Sequence, residues 1–250
     1  MKETAVVKSE TPLVESARVS LGEAAYQRLR TDIVSCRLAP GQKLTEKALA
    51  AETGFGGSPL REALTRLDHE GLVRTLPRKG YQVTPLTPKS VDDLFDLWTI
   101  VGPELVRRGI KNATHDQLEQ LRRGFREVDE LAHGVEEKQE LRESVLNLTD
   151  EMFALFAEAT KNEYLINLFM RVSGDMHRIW STVLSAYPET LDEVESHNFP
   201  EQVFTDRDSE MAADYARRHI VAMHDRILRI FSRWPSVMST EVAPMSGRST

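Results

Sequence analysis

At 250 residues, with 40% hydrophobic and 28% charged content, the chain has a globular composition and enough length for one large domain or two modest ones. No apolar run reaches the ~18 residues of a membrane span, the first residues lack a secretory h-region, and a single cysteine cannot form an internal disulfide, so a reducing cytoplasm is the expected location. The net charge of −7 hides an asymmetry: residues 1–90 carry 14 Lys or Arg against 10 Asp or Glu, while the remainder carries 18 against 29, which joins a basic third suited to a polyanion to an acidic remainder.

In chain order, residues 1–20 mix polar and charged types without period and read as a flexible arm. Leu21 to Cys36 places Leu21, Ala25, Leu29, Ile33 and Val34 on one helical face, and Leu38-Ala39-Pro40-Gly41 ends that helix. Thr45 caps a second helix with Ala48, Leu49 and Ala51 as packing residues. After the turn Gly54-Phe55-Gly56-Gly57, Ser58 to Val73 forms a third. Leu60, Leu64, Leu67 and Leu72 make its apolar stripe, Arg61 and Arg66 lie off it, Ser58 is the expected cap and Gly71 the left-handed stop. Val73–Leu76 and Tyr81–Thr84 then alternate apolar and polar around Pro77-Arg78-Lys79-Gly80, a hairpin with a basic tip.

Three helices and such a hairpin are the parts of a winged helix-turn-helix at residues 21–86. The third helix has the width of a major groove, and the tip reaches adjacent phosphates or the minor groove. A purely structural domain needs Leu64 and Leu67 but has no use for free cations at Arg61 and Arg66 on the open face or at Arg78 and Lys79 on the hairpin tip.

The runs L-A-P-G-Q-K-L-T-E-K-A-L-A-A-E-T-G, S-P-L-R-E-A-L-T-R-L-D-H-E-G-L-V-R and R-K-G-Y-Q-V resemble the DNA-binding domain of the GntR superfamily of bacterial regulators over about Leu21 to Val83. The resemblance implies a homodimer on a palindromic double-stranded operator, with Lys47, Ser58, Arg61 and Gly80 at positions that contact DNA in the family. Gly56 and Gly57 depart from it, because relatives carry a hydroxyl residue and then a guanine-reading Arg there. Arg66 or Lys47 is the available substitute, or the operator differs.

From Thr87 onward every period is helical. The expected helices are Val91 to Lys111 with a bend at Gly102-Pro103, then Thr114 to Leu131 ended by His133-Gly134, and Glu136–Ala159, Glu163–Ala186, Leu191–Thr205 and Asp208–Trp234. Residues 87–235 therefore read as an antiparallel α-helical bundle, residues 236–250 as a flexible tail, and the whole as a mainly α protein.

The second half resembles the FCD effector-binding domain of the FadR-like GntR branch. That resemblance implies a small organic acid effector and one divalent metal (Zn, Ni or Mn) held by an Asp, a His four residues later and two further His. Asp150, His197 and His219 match three of these positions, and the fourth is Ala154. Trp98 and Gly102 stand where Arg and Glu are common. Two readings follow: the metal is retained with His177 or water in the gap, or the cavity is metal-free, enlarged by Ala154 and lined by Trp98 and Phe153. Catalysis has little support, since Cys36 has no His nearby, no phosphate-cradling glycine motif occurs, and the pairs Asp92-Asp93, Glu136-Glu137 and Asp192-Glu193 read as solvated helix positions. The expected function is a ligand-responsive transcription regulator. The alternative is a metal-dependent or degenerate small-molecule-binding protein with a vestigial DNA-binding domain.

Overall fold

The computed structural model describes residues 20–132, 139–187 and 199–232. The expected arm and tail, the His133-Gly134 stop, the Glu136-Glu137 and Asp192-Glu193 pairs and the metal candidate His197 lie outside these residues.

α1 (Leu21–Val34) starts where the Ser20 hydroxyl accepts the Glu23 amide, and it buries Ala25, Leu29 and Ile33. Leu21 is exposed, and Cys36 lies beyond the Ser35 cap with φ +58, so it follows the helix rather than ending it. β1 (Lys43–Leu44) precedes α2 (Glu46–Thr53), which Thr45 caps as expected. α3 (Gly57–His69) begins two residues earlier than the expected Ser58 cap implies. Gly56 is its N-cap, with no side-chain hydrogen bond, and Ser58 sits inside the first turn. Gly71 takes the expected left-handed φ, +77.

β2 (Val73–Leu76) and β3 (Gly80–Val83) form the hairpin, and β1 adds to the free side of β3 in an antiparallel sheet of order β1-β3-β2. Lys43 pairs with Gln82 and Leu44 with Tyr81. Gly80 makes that addition possible: its φ is +88, and a Cβ there would stand 2.5 Å from the Leu44 carbonyl oxygen. Leu29, Ile33, Leu49, Leu60, Leu64, Leu67 and Val83 close one core beneath the three helices and the sheet.

The second core belongs to α4 (Pro88–Asn112), α5 (His115–Ala132), α6 (Gln139–Ala159), α7 (Glu163–Ala186), α8 (Glu201–Thr205) and α9 (Ser209–Ser232). Thr87 and Ser90 form a reciprocal capping box at the head of α4. α4 runs as one helix with Gly102-Pro103 inside it, and it packs along α9 and α6. At Gly109 the α4 and α6 backbones nearly touch, because a Cβ would meet the Phe156 carbonyl oxygen at 2.9 Å. The expected helix through Pro200 is not formed across that residue. Pro200 is itself the N-cap of α8, consistent with its missing amide hydrogen and fixed φ. Phe125, Phe153, Phe156 and Phe199 meet largely edge to face in the centre of the bundle. Among the described residues no helix is long and apolar enough to cross a membrane.

Leu64 is fully buried, so Leu64→Ala is expected to cost about 2 to 5 kcal/mol through lost transfer energy and a residual cavity, measured by urea unfolding. An unchanged midpoint would place Leu64 outside the core.

Candidate nucleic-acid interface and bundle cavity

Three pieces of the N-terminal domain converge on one exposed side. The first turn of α3 faces the start of α2, and Gly80 of the hairpin lies against the Leu44–Thr45 backbone just before α2. Arg61 spans the gap, donating from Nε and Nη2 to the two carboxylate oxygens of Glu46 at 3.1 and 2.9 Å. This forked contact raises the Arg61 pKa and lowers that of Glu46, in each case mainly through the hydrogen bond between them. Both side chains meet solvent, so the pair adds little to stability and chiefly fixes where the guanidinium points. Lys47 and Ser58 are exposed nearby in sequence. Arg78, with φ +64, and Lys79 are exposed at the hairpin tip, where the Lys79 amide donates to the Leu76 carbonyl.

Arg66 departs from the expectation of a free front face. Its guanidinium lies 3.7 Å from the centre of the Tyr26 ring and donates to Glu23 at 2.6 Å, which commits it to α1. The signal was the Glu23 and Tyr26 pair on another helix, invisible to periodicity within α3. At Gly57, by contrast, a Cβ would find only ordinary contacts, Glu46 at 3.8 Å and Arg61 at 3.9 Å. The position therefore has room for the side chain that the relatives place there.

The bundle contains a cavity of about 120 Å³ whose walls include Trp98, Phe153, Phe169, Trp180, Asp150, His177 and His219. Ala154 is not part of its lining; it is half-buried and packs against the bundle core, so it does not enlarge the cavity as expected. His177 is buried, and its Nδ1 stands 2.5 Å from Asp150 Oδ2. Two donors on one tetrahedral zinc, each ~2.0 to 2.2 Å from the ion, stand roughly 3.3 Å apart. At 2.5 Å the pair instead shares a hydrogen, so Asp150 Oδ2 and His177 Nδ1 are not two ligands of one ion, and the described donors do not fit a metal in this arrangement; His197 lies outside the described residues. The group among the described residues that gathers three donor atoms within 4.8 Å is Asp92, Asp96 and His224, on the α4–α9 surface. There His224 Nε2 lies 2.9 Å from Asp92 and its ring stacks on Phe95, so Asp92 is not simply a solvated helix position.

α7 separates this cavity from the N-terminal domain. Phe169, Val172, Ser173, Met176, His177 and Trp180 recur at helical spacing on its cavity side. Arg171, Gly174, Arg178, Ser181 and Thr182 form its other side. Arg171 donates to the His69 carbonyl at 2.7 Å, and Gly174 lies against Leu72. Arg178, fully buried, donates to the Thr84 carbonyl and to Asp175. Cys36 meets this side as well, its Sγ 3.6 Å from the Arg178 carbonyl and 3.5 Å from the Thr182 hydroxyl, and burial pushes the thiol pKa up. Neither Arg171 nor Arg178 was singled out by sequence reasoning, since their partners lie about 100 residues away.

Comparison with known proteins agrees with this two-part architecture. The family described as bacterial regulatory proteins, gntR family, matches residues 21–83, and the FCD domain matches residues 93–222. The uncharacterized HTH-type transcriptional regulator YdhC of Bacillus subtilis is 28% identical over 152 residues, 61% of this chain and 66% of that one, just under two thirds of its length. The Nta operon transcriptional regulator of Aminobacter aminovorans is 28% identical over 200 residues, 79% of this chain and 90% of that one. Among solved structures, E. coli McbR/YncC superposes with a TM-score of 0.71 over 86% of this chain and 100% of that chain at 18% identity, a likeness of fold.

Burial raises the Cys36 pKa, so the thiolate fraction near neutral pH is smaller than for a free thiol. Alkylation of the folded protein by iodoacetamide at pH 8 is expected to be much slower than in urea, read by mass spectrometry. Equal rates would mean that the α1–α7 contact opens freely.

Proposed function

The chain belongs to the GntR family of bacterial transcription regulators and carries an FCD domain, and on that premise we propose that it is a ligand-responsive regulator that binds a palindromic operator as a homodimer in the cytoplasm. The observation that carries this reading is the exposed α2–α3–hairpin side, where Glu46 holds Arg61 outward beside the basic tip. In a dimer two such sides meet successive half-sites, with α3 in the major groove and Arg78 and Lys79 at the flanking backbone. Lys47 and Ser58 approach the same duplex, Gly80 through its backbone. Arg66, held on α1, orients α3 rather than reading bases. Support for a second copy comes from α4, where Leu97 and Ile100 are apolar, exposed and three residues apart.

The small-molecule response belongs to the bundle cavity, with Trp98, Phe153, Asp150, His177 and His219 as its contacts. A ligand there presses on α7, and α7 holds the Thr84 carbonyl between the hairpin and α4 through Arg178. Only a difference in ligand affinity between the DNA-bound and free arrangements can shift the equilibrium, so coupling is reciprocal: operator DNA must change ligand affinity by the same factor. The organic acid expected from the sequence needs a cationic or metal partner in the cavity. Among the described residues, Asp150, His177 and His219 are the ionisable groups that line it.

Selection of bound fragments from the source genome tests the DNA reading. An enriched palindrome is the expected result. Uniform, purely salt-dependent binding with no enriched site would establish the second reading, a small-molecule-binding protein with a vestigial DNA domain, which Gly56-Gly57 favours.

On the selected operator, Arg61→Ala is expected to weaken binding at least tenfold with an unchanged urea midpoint, because the pair it breaks is exposed. Gly57→Arg is expected to add about 1 to 3 kcal/mol of discrimination at one guanine, read by fluorescence anisotropy on matched and substituted duplexes. Equal loss of stability and affinity in Arg61→Ala would remove it from the reading face.

A further inference from the structure

We propose that the bundle cavity takes an uncharged, single-ring aromatic molecule bearing a hydroxyl, held without a metal ion, the ring among Trp98, Phe153 and Phe169 and the hydroxyl on Asp150. The proposal rests on the effector-binding reading of this cavity and names its ligand class.

Size comes first. A cavity of about 120 Å³ is close to the ~150 Å³ apolar cavity that accepts one benzene ring. One ring matches that volume. Shape follows from the walls: Trp98 stands edge-on to Phe153, with ring centres 5.7 Å apart, and tilted to Phe169 at 6.3 Å. These rings present faces and edges against which a further ring stacks or packs in a T. Val172, Ile220 and Met223 supply aliphatic contact on other sides.

Charge then separates the ligand classes. Among the described residues no lysine or arginine lines the cavity, and its ionisable groups are Asp150, His177 and His219. Asp150 and His177 close on one another, so one carboxylate oxygen is already engaged inside the cavity. A carboxylate ligand would be stripped of water beside Asp150 without the arginine or metal that usually offsets that cost. The 2.5 Å separation of the pair is too short for two ligands of one ion. Asp150 uses Oδ2 toward His177, which directs the acceptor Oδ1 to a hydroxyl donor. The Asp150 side chain is 40% exposed while Trp98 and Phe169 are buried, so the hydroxyl sits at the mouth and the ring inside.

The test uses the full chain purified without chelator or added metal. Metal content is read by mass spectrometry, and binding of phenol, benzoate and benzylamine, each with and without zinc, is read by thermal shift and tryptophan fluorescence. The expected result is no stoichiometric metal and phenol binding about tenfold or more tighter than either charged probe, with no effect of zinc. Asp150→Asn should weaken phenol about tenfold, the scale of one hydrogen bond to a charged group. Phe153→Trp, which fills the space, should abolish phenol binding with the fold retained by circular dichroism. Absent phenol binding, tighter benzoate or benzylamine, stoichiometric metal or zinc-dependent benzoate binding would each overturn the proposal. None of these readouts involves DNA, so a failure here stays distinct from a failure to enrich an operator.

Discussion

A fully buried guanidinium has to be satisfied, and Arg178 meets that demand by joining the two halves of the molecule. Taking an unpaired cation out of water costs several kcal/mol even after relaxation. Arg178 therefore needs the Asp175 carboxylate on its own helix and the Thr84 carbonyl between the hairpin and α4. Its Nε has no partner among the described residues, so the remaining bonds matter more. The position of the winged domain against the bundle depends on them, with Arg171 on the His69 carbonyl and Cys36 against Thr182 as further ties. These ties are few and largely polar, the character of an interface across which domains move.

One helical step connects this joint to the cavity. His177 and Arg178 are consecutive on α7 and so point about 100° apart, the rotation per residue at 3.6 residues per turn. His177 turns to Asp150 and the cavity, and Arg178 turns to Thr84. The same wall thus borders the bundle cavity on one side and meets the winged domain on the other. Any displacement of α7 would change both at once, because packed helices shift as units rather than deform.

Charged pairs play two different parts on the winged domain. The contact of Arg61 with Glu46 lies in solvent, where electrostatics stabilise little and geometry is what remains. Arg66 stands over Tyr26 and donates to Glu23, so a residue that looks free on a helical wheel belongs to the α1–α3 packing. Gly80 shows a similar division: no side chain there reads DNA, yet without it β1 cannot approach β3 and the hairpin would lose its place beside α2.

The sequence by itself determined what is local. Helical periods, the Thr45 cap, the left-handed Gly71 and the alternation of the hairpin follow from interactions within a few residues, and each was legible in order along the chain. The Ser20 and Thr87 caps are equally local, yet Ser20 read as part of the arm and Thr87 as part of a junction. Ser58 was the wrong cap because helix ends are set by a single turn of hydrogen bonds, and Gly56, lacking a side chain, gave no signal. Only the tertiary structure decided which distant groups meet: β1 on β3, Arg66 on Tyr26, Asp150 with His177, Ala154 away from the cavity and Arg178 on Thr84. Those choices depend on how helices rotate and cross as their apolar faces are buried, and a one-residue rotation of about 100° exchanges a cavity wall for a domain contact.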